Sequence, residues 1–143
     1  RTDVWGADLY LRWRPQGEAG DTWLALQGEL FWRRRQIPGD LAQDVSAYGQ
    51  LVWQFAQRWA AAARYEWGGP AHLLDGSVGG DLLDPEWTRA RARATGSLSF
   101  KPTEFSRIRL QGARDDAGWR DDAVWSALLA FEFAIGAHGA HAF

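Results

Sequence analysis

Along residues 5–14 the side chains alternate. Odd positions read Trp5, Ala7, Leu9, Leu11 and Trp13, while even positions read Gly6, Asp8, Tyr10, Arg12 and Arg14. A period of two marks a β-strand with unlike faces. Six further segments obey the same rule. One face carries Leu24, Leu26, Gly28, Leu30 and Trp32, then Gly49, Leu51, Trp53 and Phe55, then Ala61, Ala63, Tyr65 and Trp67. It continues with the even positions of residues 90–100 and 106–112 and the odd positions of 125–135, none of them charged. The other face carries Asp8, Arg12, Arg14, Glu29, Arg33, Arg58, Arg64, Glu66, Arg89, Arg91, Arg93, Lys101, Arg107, Arg109 and Glu132. Seven antiparallel strands are therefore expected, apolar on one side and charged on the other.

A soluble sheet would turn the charged face to water and pack the apolar one on a core. Three features favour lipid instead. The apolar face is rich in Ala, Gly and Leu, a smooth surface rather than the bulky filling of a sandwich or small barrel. Aromatics gather at the strand ends, with Trp5, Trp32, Trp67 and Trp125 at one level and Trp13, Trp59, Phe100 and Phe143 at the other. Two aromatic girdles around an apolar band are the pattern of a transmembrane barrel, because amphipathic rings settle at both interfaces. Finally, the segments are about as long as the roughly 9–11 residues a tilted strand needs to cross a bilayer. The fold expected is an all-β, up-and-down transmembrane barrel, with residues 1–143 forming part of it.

Links sort by length. Short ones are expected at residues 15–21, 57–60 and 102–104, and long ones at 34–46, 68–86 and 114–122. Outer-membrane barrels have short periplasmic turns and long external loops, so the last strand would run toward the periplasm and end at Phe143. Seven is an odd number, and an unpaired edge in lipid is costly. The expectation is that further strands, from upstream or from other chains, complete the wall. A strand missed within residues 41–50, where alternation is poor, is the weaker explanation.

Composition narrows the chemistry. There are no cysteines, which removes disulfides, thiolate metal sites and cysteine nucleophiles. The net charge of −2 and 46% hydrophobic content fit neither a general nucleic-acid binder nor a disordered tail. Ten tryptophans exceed the needs of a small soluble core. The longest apolar runs, such as residues 59–63, are far short of the roughly 20 residues of a spanning helix. Arg1 leads straight into a patterned segment without signal-peptide character.

The run Phe131-Glu132-Phe133-Ala134-Ile135-Gly136-Ala137-His138-Gly139-Ala140-His141-Ala142-Phe143 resembles the C-terminal strand of Gram-negative outer-membrane barrels. Its terminal aromatic, Phe143, is similar to the signal read by the barrel-assembly machinery. The run Ser99-Phe100-Lys101-Pro102-Thr103-Glu104-Phe105-Ser106-Arg107-Ile108-Arg109-Leu110-Gln111 and the Gly-Ala-His repeats resemble a porin-like family. Its members are described as outer-membrane receptors, zinc-regulated or TonB-dependent in type. The resemblance covers the last third well and the rest in style only. It implies an outer-membrane location, contact with lipid and lipopolysaccharide, and a barrel longer than this chain. No plug domain is present to couple to TonB.

The charged face holds eleven Arg or Lys against four Asp or Glu, a balance of +7, which leaves −9 for the remainder. The densest cations are Arg89, Arg91 and Arg93 opposite Arg107 and Arg109, joined on the same face by Arg12, Arg14, Arg58 and Arg64. Such stripes favour passage of small anions, and guanidinium grips carboxylate or phosphate bidentately. The alternative is that arginines pair with Asp8, Glu29, Glu66 and Glu132 to fill a narrow lumen. Acids of the long links, including Asp115, Asp116, Asp121 and Asp122, lack the spacing of a calcium loop. His138 and His141 are three apart and point to opposite faces of a strand, so they make no metal pair. No cofactor is called for. Catalysis is not expected either: His72 lies in a link with no nucleophile motif around it, and Ser126 stands alone. The expected function is a porin-like channel for small anionic solutes. The alternative is a non-conducting structural or receptor barrel.

Overall fold

A computed structural model of the chain describes residues 1–15, 22–79 and 85–134. Phe143, His138, His141, Asp81, Asp84 and most of the 15–21 link lie outside the described residues. Seven strands form one sheet in sequence order: β1 (Thr2–Trp13), β2 (Trp23–Ile37), β3 (Asp40–Ala56), β4 (Trp59–Gly68), β5 (Arg91–Thr103), β6 (Ser106–Ala117) and β7 (Val124–Phe133). Every neighbouring pair is antiparallel, giving an up-and-down meander. The sheet is open, with β1 and β7 as its edges. No helix occurs among the described residues, so none is long and apolar enough to cross a membrane.

Alternation survives as register. Trp5 pairs with Trp32, Leu9 with Gly28 and Leu11 with Leu26, so the apolar positions of adjacent strands share one face. Across the sheet the same row continues from Leu26 to Leu51, Ala63, Gly96, Gly112 and Ala127. Almost nothing covers either face. Among the described residues the buried apolar ones are the alanines Ala25, Ala42, Ala71, Ala113 and Ala117, and no large side chain is fully buried. Trp125 is 75% exposed and Leu9 53%.

The structure corrects the expected links. Residues 34–46 are not a long link. They extend β2 and β3 into a hairpin that turns at Pro38 and Gly39. Proline presets the first central φ of such a turn, and Gly39 takes φ +79°, a value that L side chains resist. Residues 41–50 belong to β3 and are not an additional strand. Of the two other long links expected, the one between β4 and β5 stands, whereas the one expected at 114–122 shrinks to residues 118–123, because residues 114–117 extend β6.

The first of these folds back on the β2–β3 hairpin. His72 exchanges backbone hydrogen bonds with Gln43, each 2.8 Å, and Gly69 N–H donates to the Val45 carbonyl at 2.9 Å. His72 therefore sits in a bridged segment rather than in a free loop. Beyond it, Asp75 accepts hydrogen bonds from the Ser77 hydroxyl at 2.6 Å and from its backbone N–H at 2.9 Å. These donors hold the Asp75 carboxyl below its ordinary range. A depressed pKa stabilises the turn above the ordinary aspartate value, and that stabilisation disappears as pH falls through the lowered one. Ser77→Ala, which keeps only the backbone donor, is expected to move the Asp75 titration upward, and NMR of its carboxyl carbon checks this.

Candidate functional site

The charged face is built from the alternate positions of all seven strands. Its cations fall into two groups. Nearer the long links, Arg33 pairs with Asp44 at 2.7 Å, Arg64 with Glu66 at 2.9 Å, and Arg91 with Asp115 at 2.6 Å. Arg93, directly opposite Asp115 in the ladder, approaches the same carboxylate at 4.0 Å. At the other end Arg107 hydrogen-bonds Glu132, while Arg109 reaches only 3.9 Å from it. The Arg109 Nε is buried with no hydrogen-bond partner among the described residues. Lys101 lies beside this group.

Aromatic rings seat Arg64 and one further cation, Arg12. The Arg64 guanidinium lies 3.6 Å from the centre of the Tyr48 ring, and that of Arg12 lies 4.6 Å from Trp23. Both stackings add cation–π attraction on a polar face. The Tyr48 hydroxyl accepts from Gln27 Nε2 at 3.0 Å and lies against Glu29.

Between β2 and β6 the face forms a hollow of about 480 Å³. Its floor is Ala60 and Ala62, too small to fill it. One wall presents Trp23, Gln50 and Gln54, and the other Thr95, Ser97, Ser99, Lys101, Arg107, Arg109 and Gln111. Trp23 Nε1 donates to Gln54 Oε1 at 3.0 Å.

Several expected roles change. Arg14 follows the end of β1, Arg58 lies in the β3–β4 turn, and Arg89 precedes β5, so none of the three is a strand position on the charged face. Arg89 instead donates to the Gly118 carbonyl at 3.3 Å. Asp8 and Glu29 stand directly opposite each other, two like charges, and neither forms an ion pair with an arginine among the described residues. Their expected pairing role passes to Asp44 and Asp115. Asp115 and Asp116 are not link residues but belong to β6, on opposite faces, so they form no common acidic cluster. The positive excess of the face is correspondingly smaller than +7. Nor is the apolar face wholly uncharged, because Arg114 and Asp116 sit at its end, paired at 2.8 Å beside Trp125.

Several of the aromatic residues expected as girdles make ring contacts with one another. Trp5 stacks on Trp32 with centroids 4.8 Å apart, and Trp59, the first residue of β4, lies 4.6 Å from Phe100. Trp67 opposes Ala47, two residues along β3 from the partner of Trp32, and Trp125 opposes Arg114, so that girdle descends in steps. Trp13 and Trp53 both oppose Leu24 at the other level, where Trp53 packs 5.3 Å from Phe55. Sequence reasoning missed Trp87. Its ring covers Gly68 on the charged face, where an added Cβ would meet Trp87 Cζ2 at 2.9 Å, and it lies 6.2 Å from Trp119. The absence of a side chain at Gly68 beside a tryptophan-bearing link was the only signal in the sequence.

No protein-family model and no solved structure matches the chain. A relative from Aquifex aeolicus, described as an uncharacterized protein, is 30% identical over 154 residues. The alignment covers all of this chain but only 31% of the relative, so the chain spans less than a third of that protein's length.

Proposed function

We propose that this sheet is part of the wall of an outer-membrane β-barrel, porin-like, whose charged face lines a water-filled path for small anions. The observation that carries the reading is the spacing of tryptophans on the apolar face. Trp5 and Trp13 on β1, and Trp59 and Trp67 on β4, each lie eight residues apart. At roughly 3.3 Å per residue this is about 27 Å along a strand, which at the tilt of about 35–45° of barrel strands spans about 20 Å of the apolar band of about 25 Å. Between them lie Ala7, Leu9 and Leu11 on one strand and Ala61, Ala63 and Tyr65 on the other. An exposed apolar band of this extent needs lipid or protein cover.

Closure requires more strands. The free edges of β1 and β7 present backbone groups that hydrocarbon cannot satisfy. The length of the Aquifex relative is consistent with further strands in the same polypeptide. The barrel-assembly machinery and lipopolysaccharide are the partners this reading implies, and catalysis forms no part of it.

One set of observations favours the alternative of a non-conducting structural or receptor barrel. Arg33, Arg64, Arg91 and Arg107 each have a carboxylate in contact, which a narrow, self-paired lumen would also show. Planar-bilayer recording of the protein at its natural length separates the two. Steady openings, with the reversal potential in a potassium chloride gradient on the chloride side, are expected. Verified insertion without conductance would favour the non-conducting barrel.

A further inference from the structure

We infer that the hollow over Ala60 and Ala62 is a binding site for a hydroxylated oxyanion, of the sugar-phosphate or sugar-acid class. The inference rests on the reading of this face as a wetted lumen. At one end of the hollow stand Lys101, Arg107 and Arg109. Glu132 neutralises Arg107 by direct hydrogen bonding but stays 3.9 Å from Arg109. Glu104, on the neighbouring turn, makes no ion pair among the described residues. Lys101 has no carboxylate in contact among the described residues, so the group keeps positive charge. A carboxylate or phosphate balances it, and the exposed ends of the planar Arg107 and Arg109 guanidinium groups suit either.

The rest of the hollow decides what the anion carries. Ser97 and Ser99 are alternate positions of β5, so their hydroxyls share the charged face and continue the line from Lys101. Gln111 stands directly across the ladder from Ser97, and Arg109 across from Ser99. On the far wall the Gln54 oxygen is occupied by Trp23 Nε1, which leaves its NH2 group as donor. An aliphatic tail laid along this track would strip water from hydroxyls and amides and return nothing. A polyol returns a hydrogen bond at each. The alanine floor leaves depth for a ring, and 480 Å³ is within the range of small-molecule sites, roughly 300–1,000 Å³.

The test is calorimetry on the detergent-solubilised protein at natural length, with glucose 6-phosphate, inorganic phosphate and glucose as probes. Glucose 6-phosphate is expected to bind about tenfold or more tighter than either of the others, the gain of two or three added hydrogen bonds. The double variant S97V/S99V, suited by β-branching to its strand, should reduce glucose 6-phosphate to the level of phosphate and leave phosphate unchanged. R109Q should weaken both anions. Equal binding of phosphate and glucose 6-phosphate, or a ratio untouched by S97V/S99V in a variant with wild-type circular dichroism, would overturn the inference. Because the readout is binding in detergent, it separates from conductance. A protein that passes chloride without discriminating these probes retains the pore and loses the site. A protein that discriminates them but does not conduct retains the site and loses the pore.

Discussion

Ala63→Arg is expected to prevent efficient insertion, while Ala62→Arg, one residue away, is expected not to. Ala63 lies midway between Trp59 and Trp67 on β4, on the apolar face, with Leu51 and Gly96 as its ladder partners. On the proposed membrane reading, an arginine there falls at mid-depth of the apolar band, where such a charge costs about 2–4 kcal/mol. Ala62 points to the opposite face, between Val52 and Ser97, where a guanidinium meets water. Folding into lipid vesicles, followed against urea, reads both variants. Equal penalties at the two positions would mean that the faces do not differ in the way argued here.

The second large effect is on ion preference. On the proposed pore reading, Lys101→Glu combined with Arg109→Glu is expected to invert the selectivity, moving the reversal potential from the chloride side to the potassium side. Lys101 has no carboxylate in contact among the described residues, and Arg109 reaches Glu132 only at 3.9 Å. Arg33 and Arg91 are held by Asp44 and Asp115, so reversing them would also break ion pairs and confuse stability with selectivity. Rings and stripes of basic side chains set the sign of charge that a pore admits. Bilayer recordings that show unchanged selectivity in a protein of normal stability would remove this cluster from the conduction path.

Strands were legible because their period is local. Any segment that alternates as residues 5–13 do can sit in only one orientation when its faces differ this much. The β2–β3 hairpin was less legible for an equally local reason. Arg33, Arg34 and Arg35 put three cations in succession, which erases the contrast between faces, and Pro38 reads as a link although it sits at the tip of a tight turn. The ion pairs were not legible at all. Asp115 lies among acidic residues in the sequence, and only the β5–β6 register brings it opposite Arg93 and within reach of Arg91. Register likewise set Asp8 against Glu29, where charge counting had assigned both to arginines. Trp23 and Tyr48 fall on the charged face, outside the aromatic girdles, and their partners Arg12 and Arg64 become evident only in three dimensions.

The central claim is that one face of this sheet meets lipid and the other meets water. The chain has no cysteine, so single cysteines carrying a nitroxide can be placed in turn at residues 60–66 of β4. Relaxation by lipid-soluble oxygen and by a water-soluble nickel chelate then reports the surroundings of each position in vesicles. Strict alternation is expected, with residues 61, 63 and 65 accessible to oxygen, and residues 60, 62, 64 and 66 to the chelate. Alternation with neither reagent reaching residues 61, 63 and 65 would mean that protein covers that face, and would contradict the membrane reading.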